Sequence, residues 1–273
     1  METAWLIDGA ATDLIAADDR GLAYGDGLFE TIAAPNGRLR HYERHYERLR
    51  RSCQRLGFPA PSSEQLEADI ARISPAHESH VIKIIVTRGS AGRGYRPPAD
   101  AIPRRALACY PWPEYPSERY RDGIHAIWCT TRLGENPALA GLKHLCRLEQ
   151  VLAQQELARA DVPEGLMRSV GGHVIGGTMS NLFAVIDDDL VTPRLNLCGI
   201  AGVMRSAIID AARARDIRVV ERSLTPEELL QAEEVFLSNS VFGIWPVCVL
   251  EDIAFSVGAL TQSLLRDLDI FAT

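Results

Sequence analysis

Lysine is scarce in this chain: of its 29 basic residues only Lys83 and Lys143 are lysines, and the other 27 are arginine. A primary amine can lose its proton, attack a carbonyl and be released again, whereas a guanidinium stays charged. Lys83 lies inside the apolar run VIKIIV at 81–86, where its stem reads as half-buried and its role as structural. Lys143 follows Gly141 and Leu142 and heads the stretch LKHLCRLEQVL. The apolar spacing there predicts a helix after Lys143 that buries Leu145, Leu148 and Leu152. At a helix start, amide dipoles and desolvation would draw an amine down from its ordinary pKa of about 10.4. Lys143 is therefore the candidate for carbonyl chemistry.

Other chemistries lack their residues. His41 and His45 stand four apart, but no HExxH surrounds them and no acidic third ligand is evident, so no metal site is expected. His77 and His80 flank Glu78 beside Pro75 and read as a solvated loop. Residues 89–94 have neither the dinucleotide nor the Walker order of glycines, and no GxSxG elbow is present. A lysine that condenses with a carbonyl most often does so with pyridoxal phosphate, whose phosphate needs a socket. Gly202-Val203-Met204, a glycine ahead of a helix start with free amides, offers one. Arg48 and Ser240 complete it only if the fold brings them there.

Stepping from chemistry to scaffold, 273 residues with 47% hydrophobic and 24% charged side chains suit a globular protein with one or two cores. A net charge of -7 argues against general nucleic-acid binding. No apolar run approaches the roughly 20 residues of a membrane helix, and residues 1–13 lack the basic start of a signal peptide. Six cysteines scattered singly suit reduced thiols, so a cytoplasmic protein is expected.

Glycines 21, 25 and 27 mark a tight loop feeding a strand at 28–33. Tyr42, His45, Tyr46, Leu49, Cys53 and Leu56 give an amphipathic helix stopped by Gly57, and Ser62 with Gln65 caps a second one. Strands follow at 81–86, 106–110 and 124–129, with a glycine-rich loop at 87–98. Pro111, Pro113 and Pro116 mark the best linker. The expected domains are thus a smaller N-terminal α/β one over 1–113 and a larger C-terminal one over 114–273 that carries Lys143. Beyond Pro163 the chain turns strand-rich, with helices at 203–214 and from Thr225 and a last one carrying Leu260, Leu264 and Leu268.

Four motifs together resemble the fold type IV pyridoxal-phosphate enzymes, which include branched-chain and D-amino acid aminotransferases. They are DRGLAYGDGLFET at 19–31, HYERLRRS at 45–52, GTMSNLF at 177–183 and GIAGVMR at 199–205. Two more, RGSAGRGY at 88–95 and NPALAGLKHLCRLEQVL at 136–152, are similar to the lyase branch of that family, which converts 4-amino-4-deoxychorismate to 4-aminobenzoate and pyruvate. The resemblance implies a mixed α/β two-domain fold like that of D-amino acid aminotransferase, a homodimer, and pyridoxal 5'-phosphate as cofactor. It also implies Lys143 as the Schiff-base lysine, Arg48, the amides of Val203 and Met204 and the Ser240 hydroxyl at the phosphate, and Ile200 against the cofactor ring. Arg93 and Arg96 are the candidates for substrate carboxylates.

Three positions depart from the family's pattern: Gly176 stands where a glutamate pairs with the pyridine nitrogen, Cys146 replaces an asparagine, and Ser169 replaces an aspartate. Without that glutamate the cofactor is a weaker electron sink. This favours an elimination that forms an aromatic ring over transamination. A branched-chain or D-amino acid aminotransferase, or a silent cofactor-binding relative, are the alternatives.

Overall fold

The computed structural model describes residues 4–268, which divide into two compact units. The first runs to Pro113 and takes in Lys143–Cys146; the second holds Glu114–Leu142 and the chain from Arg147 onward. Lys143 to Cys146 therefore group with the first unit although the chain on either side of them belongs to the second.

The first unit is an antiparallel sheet in the order β2-β1-β5-β4-β3, built from β1 (Trp5–Ile7), β2 (Ala10–Ala11), β3 (Gly27–Ala34), β4 (His80–Thr87) and β5 (Arg104–Pro111). Helices α1 (Arg20–Tyr24), α2 (Tyr42–Leu56) and α3 (Ser63–Ile73) accompany it. Period-two burial sorts its two faces. Leu28, Ile32, Ile82, Ile84 and Leu107 are buried, as are Leu49 and Cys53 of α2 and Leu66 and Ile70 of α3, which pack on this sheet. Each such aliphatic side chain contributes about 1.5–3 kcal/mol. Phe29, Thr31, Lys83 and Ile85 on the opposite face are only half-buried.

α2 stops at Gly57, whose left-handed φ of 73° lets its amide reach the carbonyls of Cys53 and Gln54. Ser62 and Gln65 form the expected capping box on α3. Three details differ from expectation. Residues 20–24 coil into α1, because the Asp19 side chain accepts from the Gly21 amide at its start. Tyr42 and Tyr46 stack on each other half-exposed, leaving His45, Leu49, Ser52 and Cys53 as the buried stripe. His80 is buried between Ser74 and the Glu78 carbonyl, not solvated.

The second unit is a nine-stranded mixed sheet of β6 (Ile124–Trp128), β7 (Glu164–Arg168), β8 (Val174–Gly177), β9 (Asn181–Ile186), β10 (Asp189–Pro193), β11 (Val219–Arg222), β12 (Glu234–Asn239), β13 (Gly243–Leu250) and β14 (Ile253–Ala254). Its order is β11-β10-β9-β12-β13-β6-β7-β8, and a pairing of Gly176 with Asn181 joins β8 back to β9. Six strands thereby close into a ring. Leu166, Val174, Leu182, Leu237, Trp245 and Val247 form its main core.

The helices of this unit are α4 (Glu118–Arg121), α5 (Leu148–Ala160), α6 (Val203–Arg213), α7 (Pro226–Leu229) and α8 (Ala259–Asp267). Ile208 of α6 and Leu264 of α8 pack with Phe183, Phe236 and Ile244 of the sheet, and α5 buries Ala153 and Leu157 against Met167. The helix expected after Lys143 starts only at Leu148, and Leu148 and Leu152 are 78% and 52% exposed. No helix among the described residues is long and apolar enough to cross a membrane.

Candidate active site

The backbone of Lys143 explains why no helix forms there. The Phe29 amide donates to the Lys143 carbonyl and the Leu145 amide to the Gly27 carbonyl, both at 3.0 Å, with His144 bridged to Leu28. Residues 143–145 thus extend the sheet beyond β3, and sheet bonds replace helical ones. The helix of this segment begins only at Leu148, five residues beyond the amine. The Lys143 side chain is half-buried, with Nζ 4.2 Å from the centre of the Phe29 ring. Cys146 is exposed, its Sγ 3.7 Å and 3.8 Å from the carbonyls of Tyr24 and Gly25.

On the other face of β3, Glu30 is buried between Arg48 and His45. Arg48 donates to its two oxygens through Nε at 2.8 Å and a terminal nitrogen at 2.5 Å, and His45 Nδ1 lies 2.6 Å from Oε2. Burial pushes the Glu30 carboxyl up, but the Arg48 charge and the bonds from His45 and Arg48 outweigh it and hold it at about 2. For His45 burial wins: it lowers the ring against the pull of Glu30, with the charges of Arg48 and Lys143 adding to the effect. His45 Nε2 is buried without a hydrogen-bond partner among the described residues.

Arg20 and Arg88 share Asp26, each through Nε at 2.8 Å. Burial pushes that carboxyl up, and the bonds and charges of the two arginines bring it below its ordinary value. Arg20 then reaches the carbonyls of Gly94 and Tyr95, both at 3.0 Å, and ties the glycine-rich loop to α1. Arg93 and Arg96 are exposed on that loop.

In the second unit, residues 199–201 are held from two sides. The Ala201 amide donates to Gly141, the Gly141 amide to Gly199, and Asn181 Nδ2 to the Ile200 carbonyl. Ile200 is half-buried. Gly202 precedes α6 with no side-chain cap and no acidic residue in the first turn, so no side chain satisfies the amides of Val203 and Met204. A Cβ on Gly202 would collide with Asn181 Oδ1, so a larger residue there would force the Asn181 side chain to shift. Arg205, in the same motif, is structural: it is buried and bonds Pro193, Thr192 and Glu221. Ser240 is half-buried in the turn after β12, where Asn239 Oδ1 accepts from Val241 and Phe242.

Gly176 is buried at the closure of the strand ring. A Cβ there would stand 2.7 Å from the Ser180 carbonyl oxygen. Glu164 lies close by but is spent on the 177–180 turn: it accepts from the amides of Gly165 and Thr178 at 3.0 Å and from the hydroxyls of Ser180 and Thr178. Burial pushes its pKa up against those bonds. Ser169 Oγ is buried without a partner, and no group of His, Cys, Asp or Glu among the described residues is placed to hold a metal.

The first unit thus holds Lys143, Arg48, Arg93 and Arg96, and the second Ile200, Val203, Met204 and Ser240. Sequence reasoning missed Glu30, His45, Asn181 and Glu164. A signal for Glu30 existed, since it is a charge at a buried position of a strand that otherwise alternates.

The family model for class IV amino-transferases matches residues 27–250. Aminodeoxychorismate lyase of Vibrio harveyi is 34% identical over 267 residues, 96% of this chain and 98% of that protein. A solved 4-amino-4-deoxychorismate lyase from Pseudomonas aeruginosa is 46% identical with a TM-score of 0.90, covering 96% of this chain and 98% of that one. The branched-chain-amino-acid aminotransferase of Escherichia coli is 32% identical over 252 residues, 87% of this chain and 80% of that protein. With a match over most of its length and relatives of such coverage, the chain belongs to the class IV amino-transferase family.

Proposed function

We propose that this chain is a pyridoxal-5'-phosphate-dependent carbon–oxygen lyase that converts 4-amino-4-deoxychorismate to 4-aminobenzoate and pyruvate, a step of folate biosynthesis. The likeness to the Pseudomonas aeruginosa lyase, at 46% identity over nearly the whole of both chains, carries the reading.

Each unit's own residues fit the cofactor. Lys143 is a half-buried amine fixed by its backbone, and Arg48 is a guanidinium oriented by Glu30. The uncapped amides of Val203 and Met204 suit an anion, and Ser240 and Ile200 complete the set that the family uses. When bound, the cofactor supplies an aldehyde for the substrate amine and a conjugated ring that accepts electrons.

Lys143, as a free amine, would take the proton from the ring carbon bearing nitrogen. The bond from the neighbouring carbon to the enolpyruvyl oxygen breaks, its electron pair leaving with oxygen. The ring becomes aromatic, and the enolpyruvate takes up a proton to become pyruvate. Arg93 and Arg96 are the proposed carboxylate ligands on the glycine-rich loop. Gly176 provides no carboxylate for the pyridine nitrogen, and a reaction driven by aromatisation tolerates the weaker sink better than transamination does.

We further propose a homodimer in the cytoplasm. Leu148, Val151 and Leu152 expose an apolar stripe of α5 that a second copy would cover, and six free cysteines suit a reducing compartment.

Incubation with 4-amino-4-deoxychorismate should yield 4-aminobenzoate and pyruvate in equal amounts. The second reading, an aminotransferase, is favoured by the 32% identity to the Escherichia coli enzyme. Glutamate formed from an amino acid and 2-oxoglutarate, without 4-aminobenzoate from the first substrate, would select it. Sedimentation as a monomer at micromolar concentration would remove the dimer.

A further inference from the structure

The half-buried face of the first unit's sheet carries the chain's other amine. Lys83 sits at the centre of β4, across from Thr31 on β3 and Ala108 on β5. Residues two apart on a strand, and partners directly across, share a face, so Lys83, Thr31 and Phe29 lie together. Lys83 Nζ is 5.8 Å from the centre of the Phe29 ring, and Lys143 Nζ is 4.2 Å from the same centre. The only two lysines of 273 residues thus converge on one aromatic side chain.

Nothing in the fold accounts for an ammonium there. Among the described residues Lys83 has no carboxylate within salt-bridge distance, although elsewhere in the unit Asp8, Asp26, Glu30 and Asp69 are each paired with arginine. Lysine is a poor strand former, and a half-buried cation without a counter-charge is unfavourable. The cation–π contact with Phe29 offsets only part of that. A ligand carboxylate would supply the missing partner.

We infer that Lys83 binds the ring carboxylate of the substrate and so determines specificity. This rests on the lyase reading above. In 4-amino-4-deoxychorismate and in 4-aminobenzoate, amine and carboxylate stand para across one six-membered ring. The amine is handled at Lys143, and Lys83 is a second cation gathered about the same benzene ring of Phe29. Arg93 and Arg96 then serve the other carboxylate, on the enolpyruvyl group, which the product lacks.

The test uses holoenzyme carrying Lys83→Met, Lys83→Gln or Lys83→Arg. Calorimetry measures affinity for 4-aminobenzoate and for 4-aminobenzamide, which keeps the ring and amine but has no charge. In the Met and Gln variants the acid should bind about 10- to 100-fold more weakly, as expected for a lost charged hydrogen bond. The amide should be affected little, KM should rise more than kcat falls, and Lys83→Arg should recover most of the affinity. Unchanged binding of the acid, or equal weakening of acid and amide, would overturn the assignment in favour of a structural role. If Met and Gln both fail to fold, equal affinity of the wild-type enzyme for the acid and the amide overturns it instead. A wild-type protein that forms no 4-aminobenzoate from the substrate refutes the lyase reading, whichever way Lys83 behaves.

Discussion

The two faces of β3 treat charge in opposite ways. On the side covered by α2, Glu30 is fully enclosed and every charge near it is answered: Arg48 takes both oxygens and His45 one. On the other side Phe29 presents its ring to Lys143 and Lys83, half-buried, with no carboxylate among the described residues within salt-bridge distance of Lys83. One residue's step along a strand separates a closed ionic cluster from an open cationic one. A closed cluster fixes geometry, because removing either partner strands a buried charge. An open cluster is completed from outside, which is the condition for binding an anionic ligand.

Removing the open face's reactive group should have the largest effect on activity. Lys143→Ala should lower turnover by about 10²- to 10⁴-fold or more, the range for a lost general base, and should abolish the borohydride-trapped cofactor adduct. The fold should be retained, since the backbone bonds that join Lys143 to β3 stay in place in the variant. A trapped adduct on Lys83 in the wild type would exchange the roles of the two lysines.

Breaking the closed face should instead cost stability. Glu30→Ala leaves Arg48 without its acceptor and should destabilise by about 3–5 kcal/mol, a fall in melting temperature on the order of 10 °C. If the loss were below about 1 kcal/mol, the cluster would not be the fixed frame described above.

Acid should probe the same frame more gently. His45 is held below its ordinary 6.5 and Glu30 below its ordinary 4.5, at about 2, so the unfolded chain binds protons more readily than the folded one at both. The stability they contribute is present above 6.5 and 4.5 and is lost as pH falls through the lower folded values. The melting temperature should therefore decline from pH 7 towards 5 through His45 and further below 4.5 through Glu30, and His45→Gln should flatten the first part. A wild-type melting temperature that rises on acidification below 6.5 would contradict this.

What was legible in the sequence follows the range of the interactions. α2, with its Gly57 stop, and α3, with its capping box, depend on residues within four of each other, and both stand where periodicity puts them. Residues 143–147 have equally good helical spacing, yet the Lys143 carbonyl and the Leu145 amide go to Phe29 and Gly27, more than a hundred residues away. No local pattern encodes that partner. Separation beyond one helical turn likewise hid the role of Glu30, whose partners sit on a helix 15 and 18 residues later. The loop at 199–202 showed its glycines in the sequence, but not Asn181, whose side chain crowds Gly202 and holds the Ile200 carbonyl.

The second unit repeats the contrast between satisfied and missing carboxylates, and its test has the smallest expected effect. Glu164 is consumed by the 177–180 turn, while Gly176, at the ring closure, brings none. Restoring glutamate there is not a clean experiment by itself, because any Cβ at 176 stands 2.7 Å from the Ser180 carbonyl oxygen and forces that turn to shift. Gly176→Ala measures this packing cost alone, about 1–3 kcal/mol. Gly176→Glu adds a carboxylate to the same strain. If the pyridine nitrogen lacks a proton partner in the wild type, Gly176→Glu should exceed Gly176→Ala in lyase turnover by a few-fold and gain more in transamination, whose carbanion leans harder on the sink. Equal activities of the two variants in both reactions would show that the carboxylate's absence at 176 does not set this enzyme's chemistry.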